Sequence, residues 1–381
     1  MHFGISKSLT NAERGARLAF LLAGIGATAW APLVSIAKER VHIGNGSMGA
    51  VLLFLGIGSV AAMLVSGRLY ERFGCRAVLS ASLLVIAVTL PFLASADSLI
   101  ALAIGLLVFG LGVGVTDCAI NIWAVAVEKE VGRAIMSGLH GHFSLGGVLS
   151  PIIISLLLFA RSPTVVATGV VSLLVLLGLF SARPSMPPQQ ATVSRRLLAI
   201  PRGPVAMLGI LCFVVYLAEG AVFDWSAVFL VSERGADAAH AGLGYAAFSL
   251  AMTLCRLYGD SMVKGLGIGR VVAVGGMCSA IGLGLVVLIP RFDVSLAGFA
   301  VLGIGCSNLV PIFFTAAGKQ RQMPATTAIP AIATVGYAGV LAGPSAIGAI
   351  AALFSLSGSL LVVALLLVGV SCSARFVQRI R

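Results

Sequence analysis

Acidic residues are scarce in this chain: 381 residues carry 13 Asp and Glu against 25 Lys and Arg, and all charged types together reach only 10%. Soluble domains carry about 25% charged residues, so this composition excludes an ordinary water-facing surface. Aromatic residues are also few, at 7%. The seven cysteines (Cys75, Cys118, Cys212, Cys255, Cys278, Cys306 and Cys372) include no CxxC spacing, which argues against a zinc ribbon or a disulfide framework. They read as small core residues. Of five histidines, His140 and His142 are close, but i and i+2 diverge on a helix and no Cys accompanies them, so no metal site is expected. Neither a Walker P-loop nor an HExxH pair is present, and no cofactor or enzymatic activity is expected.

What the chain does have is aliphatic mass and glycine: 59% hydrophobic residues, 46 Gly and a mean hydropathy of +1.09. Small residues let membrane helices approach closely. Apolar runs long enough to cross a bilayer fall at roughly 17–37, 47–67, 76–95, 98–127, 134–160, 163–182, 204–232, 239–263, 269–289, 294–318, 325–351 and 353–374. They are continuous rather than alternating, which favours helices over a β-barrel. The expected fold is therefore an all-α integral membrane protein of twelve transmembrane helices. The polar start MHFGISKSLTNAERGAR lacks a cleavage signal, so the first run is expected to stay as a helix.

Charge sets the expected orientation. Assigning each Lys and Arg to its nearer loop places 20 of the 25 at the termini and even-numbered loops; the other five are Lys38, Arg40, Arg161, Arg234 and Arg291. By the positive-inside rule both termini are expected in the cytoplasm, and the excess of positive charge reports orientation rather than nucleic-acid binding. Residues 183–203, rich in Pro, Gln, Ser and Arg, read as a cytoplasmic linker between a six-helix half at 1–182 and another at 204–381. The halves repeat at a steady offset: Trp30 with Trp225, Arg76 with Arg270, GLG at 110–112 with GIG at 303–305, and SLGGVLSP at 144–151 with YAGVLAGP at 337–344.

After the second run comes SGRLYERFGCRAVL, residues 66–79. With the tandem halves, it resembles the cytoplasmic signature of major facilitator superfamily transporters at Gly67, Leu69, Arg72 and Gly74, with Glu71 in the place of the usual aspartate and Arg76 near its end. The resemblance implies a conformational role for Gly67, Glu71, Arg72, Gly74 and Arg76. A second copy at 259–270 keeps Gly259, Lys264 and Arg270, and reads with Val263 opposite Glu71. Asp117-x-x-x-Asn121 in the fourth run and SGLHGHFSLGG after it are similar to the fucose-permease-like branch, which includes bacterial inner-membrane rhizopine (inosamine) transport proteins. That resemblance implies an inner-membrane monomer moving a small polar solute with protons, and Asp117 as counterpart of the proton-carrying acid. The first run holds Trp30 and no acid, where fucose permeases have an aspartate.

Depth along each run, at 1.5 Å per residue, brings Glu219, Asn308, Tyr337 and Trp30 within ~5 Å of the midplane. Asp117 comes roughly 6 Å and His140 roughly 9 Å to the cytoplasmic side, with Asn121 deeper and Asp224 and Trp225 toward the outside. Ionisable groups at such depths face protein or a wet cavity rather than lipid. Candidate proton-coupling residues are Asp117, Glu219 and His140. Candidate solute-binding residues are Trp30, Asn121, Glu219, Asp224, Trp225, Asn308 and Tyr337. The competing expectations are a drug or metabolite efflux protein of the same fold, or a membrane sensor that binds without transport.

Overall fold

In hydrocarbon every backbone N–H and C=O must be satisfied within the chain, and helices do this segment by segment. A computed structural model describes residues 2–187, 200–237 and 240–380; positions 188–199 of the expected linker lie outside the described residues. Among the described residues there are helices and turns but no strand. The helices are α1 (His2–Thr28), α2 (Val34–Arg40), α3 (Asn45–Ser95), α4 (Leu99–Val131), α5 (Met136–Phe159), α6 (Thr164–Ala182) and α7 (Pro204–Arg234). They continue as α8 (Leu243–Leu266), α9 (Ile268–Leu288), α10 (Phe292–Cys306), α11 (Leu309–Lys319), α12 (Ala325–Leu353), α13 (Leu356–Cys372) and α14 (Ala374–Arg379).

Ten helical stretches among the described residues are long and apolar enough to cross a membrane. One of these, Ser47–Ser95, turns at Gly74 and so holds two spans. A further span is α8, whose apolar character is diluted by Arg256, Asp260 and Lys264. The helices group into two compact units, Met1–Gly132 with His142–Ile200, and Arg133–Gly141 with Pro201–Arg381. These units differ from the sequence division at 182/204 chiefly in residues 133–141, which pack with the second.

The repeat is visible in local conformation. Gly74 (φ 78°, ψ 165°) and Gly267 (φ 81°, ψ 155°) adopt the same backbone geometry 193 residues apart, each between two spans. This corrects the register of the second signature copy: Lys264, not Val263, stands opposite Glu71, and Asp260 stands opposite Gly67. A matching device closes the other end of each half. At the end of α7, Arg234 donates to the carbonyls of Val286 (2.5 Å) and Val287 (3.0 Å) in the last turn of α9, and to Ser295 Oγ at 3.0 Å. Arg40, at the end of α2, donates to Thr164 Oγ1 (3.1 Å), which donates to the carbonyl of Ala94 at the end of α3 (3.3 Å). In both halves a guanidinium thus supports the negative end of the third span.

Within unit one a close seam joins α3 and α4. A Cβ on Gly58 would collide with the carbonyl oxygen of Leu107, and one on Gly114 would collide with that of Ser59. Ser59 Oγ also donates to the Gly110 carbonyl at 3.0 Å. Glycine here permits backbone contact, the usual source of attraction between helices already in lipid.

Gly74 has a conformation that side chains strain to adopt. Gly74→Ala is expected to destabilise the protein by about 1–3 kcal/mol. Gly265→Ala, at a helical position with nothing within 4 Å of the added carbon, is expected to be neutral or slightly stabilising. Thermal unfolding of both variants in detergent checks this; equal midpoints would show that the turn tolerates a side chain.

Candidate functional site

In unit one, Pro32 breaks the first span because its ring nitrogen carries no hydrogen and cannot continue the ladder to Thr28. Helix α1 accordingly stops at Thr28, and a short turn, Ala31–Leu33, follows before α2. Trp30 lies in this break, 4% exposed, with its backbone oxygen accepting from Leu33 N at 2.9 Å. Its indole Nε1 is buried and has no hydrogen-bond partner.

Asp117 and Asn121 sit one turn apart on α4. Asn121 Nδ2 donates to the Asp117 carbonyl at 2.9 Å and to Asp117 Oδ1 at 3.4 Å. Asn121 is fully buried. No cationic side chain is paired with Asp117 among the described residues. Around the signature, Gly67 and Glu71 are buried, and the Arg72 guanidinium lies 5.2 Å from the centre of the Phe73 ring. Arg76 donates to the Met186 carbonyl at 2.9 Å, tying the start of the third span to the chain leaving α6.

In unit two the tenth span is broken as well, between α10 and α11 at Ser307 and Asn308. The cause is again a proline: Pro311 has no N–H to offer the carbonyl four residues before it, which is that of Ser307. Arg256 on α8 takes that role. Its Nε donates to the Ser307 oxygen at 3.1 Å, and its Nη2 pairs with Glu219 Oε1 on α7 at 3.2 Å. Both side chains of this pair are largely buried, 8% and 17% exposed. Asn308 Nδ2 donates to Ser307 Oγ at 2.9 Å, while its Oδ1 is buried without a partner, packed against the bare α-carbon of Gly259.

His140 is buried in unit two, its ring 5.8 Å from that of Phe314, whereas Asp117 belongs to unit one. Two residues before His140, the Gly138 N–H in the first turn of α5 donates to Asp260 Oδ2 at 3.0 Å, so a carboxylate on α8 caps this helix. Trp225 packs against Gly348, and its Nε1 is buried without a partner. Asp224 is exposed; five residues from Glu219, it points about 140° away around α7. Tyr337 is half-buried on α12. The structure therefore joins Glu219 to the Ser307–Asn308 break through Arg256, joins Asp117 to Asn121, and leaves Asp224 apart from Glu219. Among the described residues no three potential metal ligands come together.

Arg256 is the residue that sequence reasoning missed. Counting basic residues by loop absorbs it into the charge after the eighth run, although it lies inside that run. The signal was present in the depth of Arg256 and in Pro311, four residues after Ser307. Because removing one member of a buried ion pair strands the other, Arg256→Leu is expected to destabilise the protein by about 3–5 kcal/mol. The double variant Glu219→Leu/Arg256→Leu is expected to cost clearly less than the two single changes added together. Unfolding of all four proteins in one detergent measures this; strict additivity would mean the pair is not coupled.

The Major Facilitator Superfamily model matches residues 18–344. An uncharacterized MFS-type transporter of Yersinia pestis is 46% identical over 99% of this chain and 97% of its own length. Membrane protein MosC of Rhizobium meliloti is 29% identical over 95% of this chain and 89% of its own length. Among solved structures, FucP in the outward conformation superposes with a TM-score of 0.80, covering 97% of this chain and 99% of that one at 14% identity. Such a likeness speaks for the fold; FucP itself is the fucose:proton symporter of E. coli. With a family match that takes in most of its length, and the repeated six-helix halves behind it, the chain belongs to the Major Facilitator Superfamily.

Proposed function

We propose that this member of a transporter family moves a small polar solute across the bacterial inner membrane by alternating access, coupled to protons, with Asp117 as the proton carrier. The observation that carries the assignment is the contrast between the two midplane acids. Glu219 is held by Arg256, so a proton arriving there would leave a buried guanidinium without its counter-charge. Asp117 is held by the neutral amide of Asn121, and can exchange a proton without stranding a cation. Solved structures of the same fold include a fucose:proton symporter and a proton:xylose symporter.

The solute class we propose is a sugar, cyclitol or amino-cyclitol such as a rhizopine. In unit one the indole donor of Trp30, and separately in unit two the indole donor of Trp225 and the amide acceptor of Asn308, are buried without partners. Leaving such a group unmade costs about 1–3 kcal/mol, which a hydroxylated solute would relieve in another state of the cycle. Both termini are proposed to face the cytoplasm, following the distribution of its basic residues, and the protein is proposed to act as a monomer.

Two measurements test this reading. In proteoliposomes, Asp117→Asn is expected to abolish accumulation of solute driven by an imposed pH gradient while keeping downhill exchange of preloaded solute; a panel of sugars, cyclitols and amino-cyclitols supplies the candidates. Unchanged accumulation would move the coupling role to Glu219, to be tested as Glu219→Gln. For orientation, Glu130→Cys in a Cys372→Ser background, at an exposed position near the end of α4, is expected to react with a membrane-impermeant maleimide only in inside-out vesicles. Labelling in intact spheroplasts would reverse the topology.

A further inference from the structure

One flank of unit one carries a groove of ≈ 470 Å³ between the two arms of α3 and α4. Its walls include Phe73, Ala77, Ala81, Val85, Val108 and Gly112. The one hydroxyl on its lining, that of Ser82, is already engaged, accepting from Thr116 Oγ1 at 2.8 Å and donating to the Leu79 carbonyl at 3.3 Å. The groove exists because small residues face one another. Ala77 and Ala81 are one turn apart and exposed on the third span, and Gly112 stands across from them on α4.

Its dimensions and its mouth point to one kind of occupant. From Ala77 to Val85 the groove follows about 12 Å of helix. One leaflet of a bilayer offers about 15 Å of hydrocarbon, half the full core, so the groove runs along most of one leaflet. At its charged end stands the Phe73 ring, 47% exposed, with the Arg72 guanidinium 5.2 Å from its centre. Arg68, one turn earlier on the same face, is exposed and has no ion-pair or hydrogen-bond partner among the described residues. Glu71, between these two in sequence, is buried.

We infer that this groove is a binding site for an anionic phospholipid, one acyl chain lying along Ala77, Ala81 and Gly112 and the phosphate resting at Arg68 and Arg72. Any lipid chain can fill the apolar part. The guanidiniums of Arg68 and Arg72, on the arm of α3 that carries Phe73, select the headgroup, as basic pockets beside transmembrane helices do. A basic residue near an anionic headgroup contributes enough for roughly a five-fold change in affinity. The site is independent of the solute and coupling proposals and stands whatever their outcome.

The test uses the full chain, purified and delipidated in detergent, titrated with phosphatidylglycerol or with phosphatidylcholine of the same acyl chains, and read by native mass spectrometry. Wild type is expected to hold one phosphatidylglycerol at least ten-fold more tightly than phosphatidylcholine. Arg68→Gln is expected to weaken phosphatidylglycerol about five-fold and leave phosphatidylcholine unchanged. Ala81→Trp, which fills the groove from an exposed position, is expected to abolish the tight site; Ala77→Leu makes the same change more gently should the larger ring prevent folding. Equal binding of the two lipids by wild type, or phosphatidylglycerol binding that survives in a folded groove-filling variant, overturns the proposal.

Discussion

The guanidinium of Arg256 carries two obligations that a membrane interior imposes at once. A helix broken in hydrocarbon exposes a carbonyl that no water can satisfy, and a buried carboxylate needs a counter-charge. Arg256 answers both, bonding the Ser307 oxygen freed by Pro311 and pairing with Glu219. Three helices meet through this one side chain: α7 through Glu219, α8 through its own backbone, and the junction of α10 and α11. The break can persist because its cost is met from across the bundle, and Glu219 can persist as a charge for the same reason.

Most of the fold was legible in the sequence because the bilayer is a simple solvent. It demands long apolar runs, and these are visible in the residues without knowledge of packing. The repeat was legible too, though only approximately. Matching Gly67 to Gly259 set the second signature copy at an offset of 192, one short, and it took the matching backbone angles at Gly74 and Gly267, 193 apart, to set it right. The site was less legible. Asp117 and Asn121 are one helical turn apart, so their shared face was legible in the spacing, while the hydrogen bonds between them were not read there. The link between Glu219, Arg256 and Ser307 depends on three helices distant along the chain, and no periodicity reports it. Asp224 illustrates the converse: close to Glu219 in sequence, it points elsewhere once the helix is wound.

The same economy governs the helix ends. Arg40 and Arg234 occupy equivalent places in the two halves and each reaches the carbonyl end of the third span, one through Thr164 and one directly. These two basic residues on the less basic side of the chain are thus spoken for structurally. Arg68, by contrast, is exposed on α3 and has no such structural partner among the described residues.

The turn at Gly74 has a bearing on how the protein is made. Helix continues on either side of this single residue, so the second and third spans have no loop between them. Only a helix end and this one turn lie between the two apolar runs, which favours their entry into the bilayer as a hairpin. Gly267 places the same turn between α8 and α9. With Arg256, Asp260 and Lys264, α8 is the charged member of this second pair and α9 the apolar one, and in the folded unit α8 lies chiefly against α10.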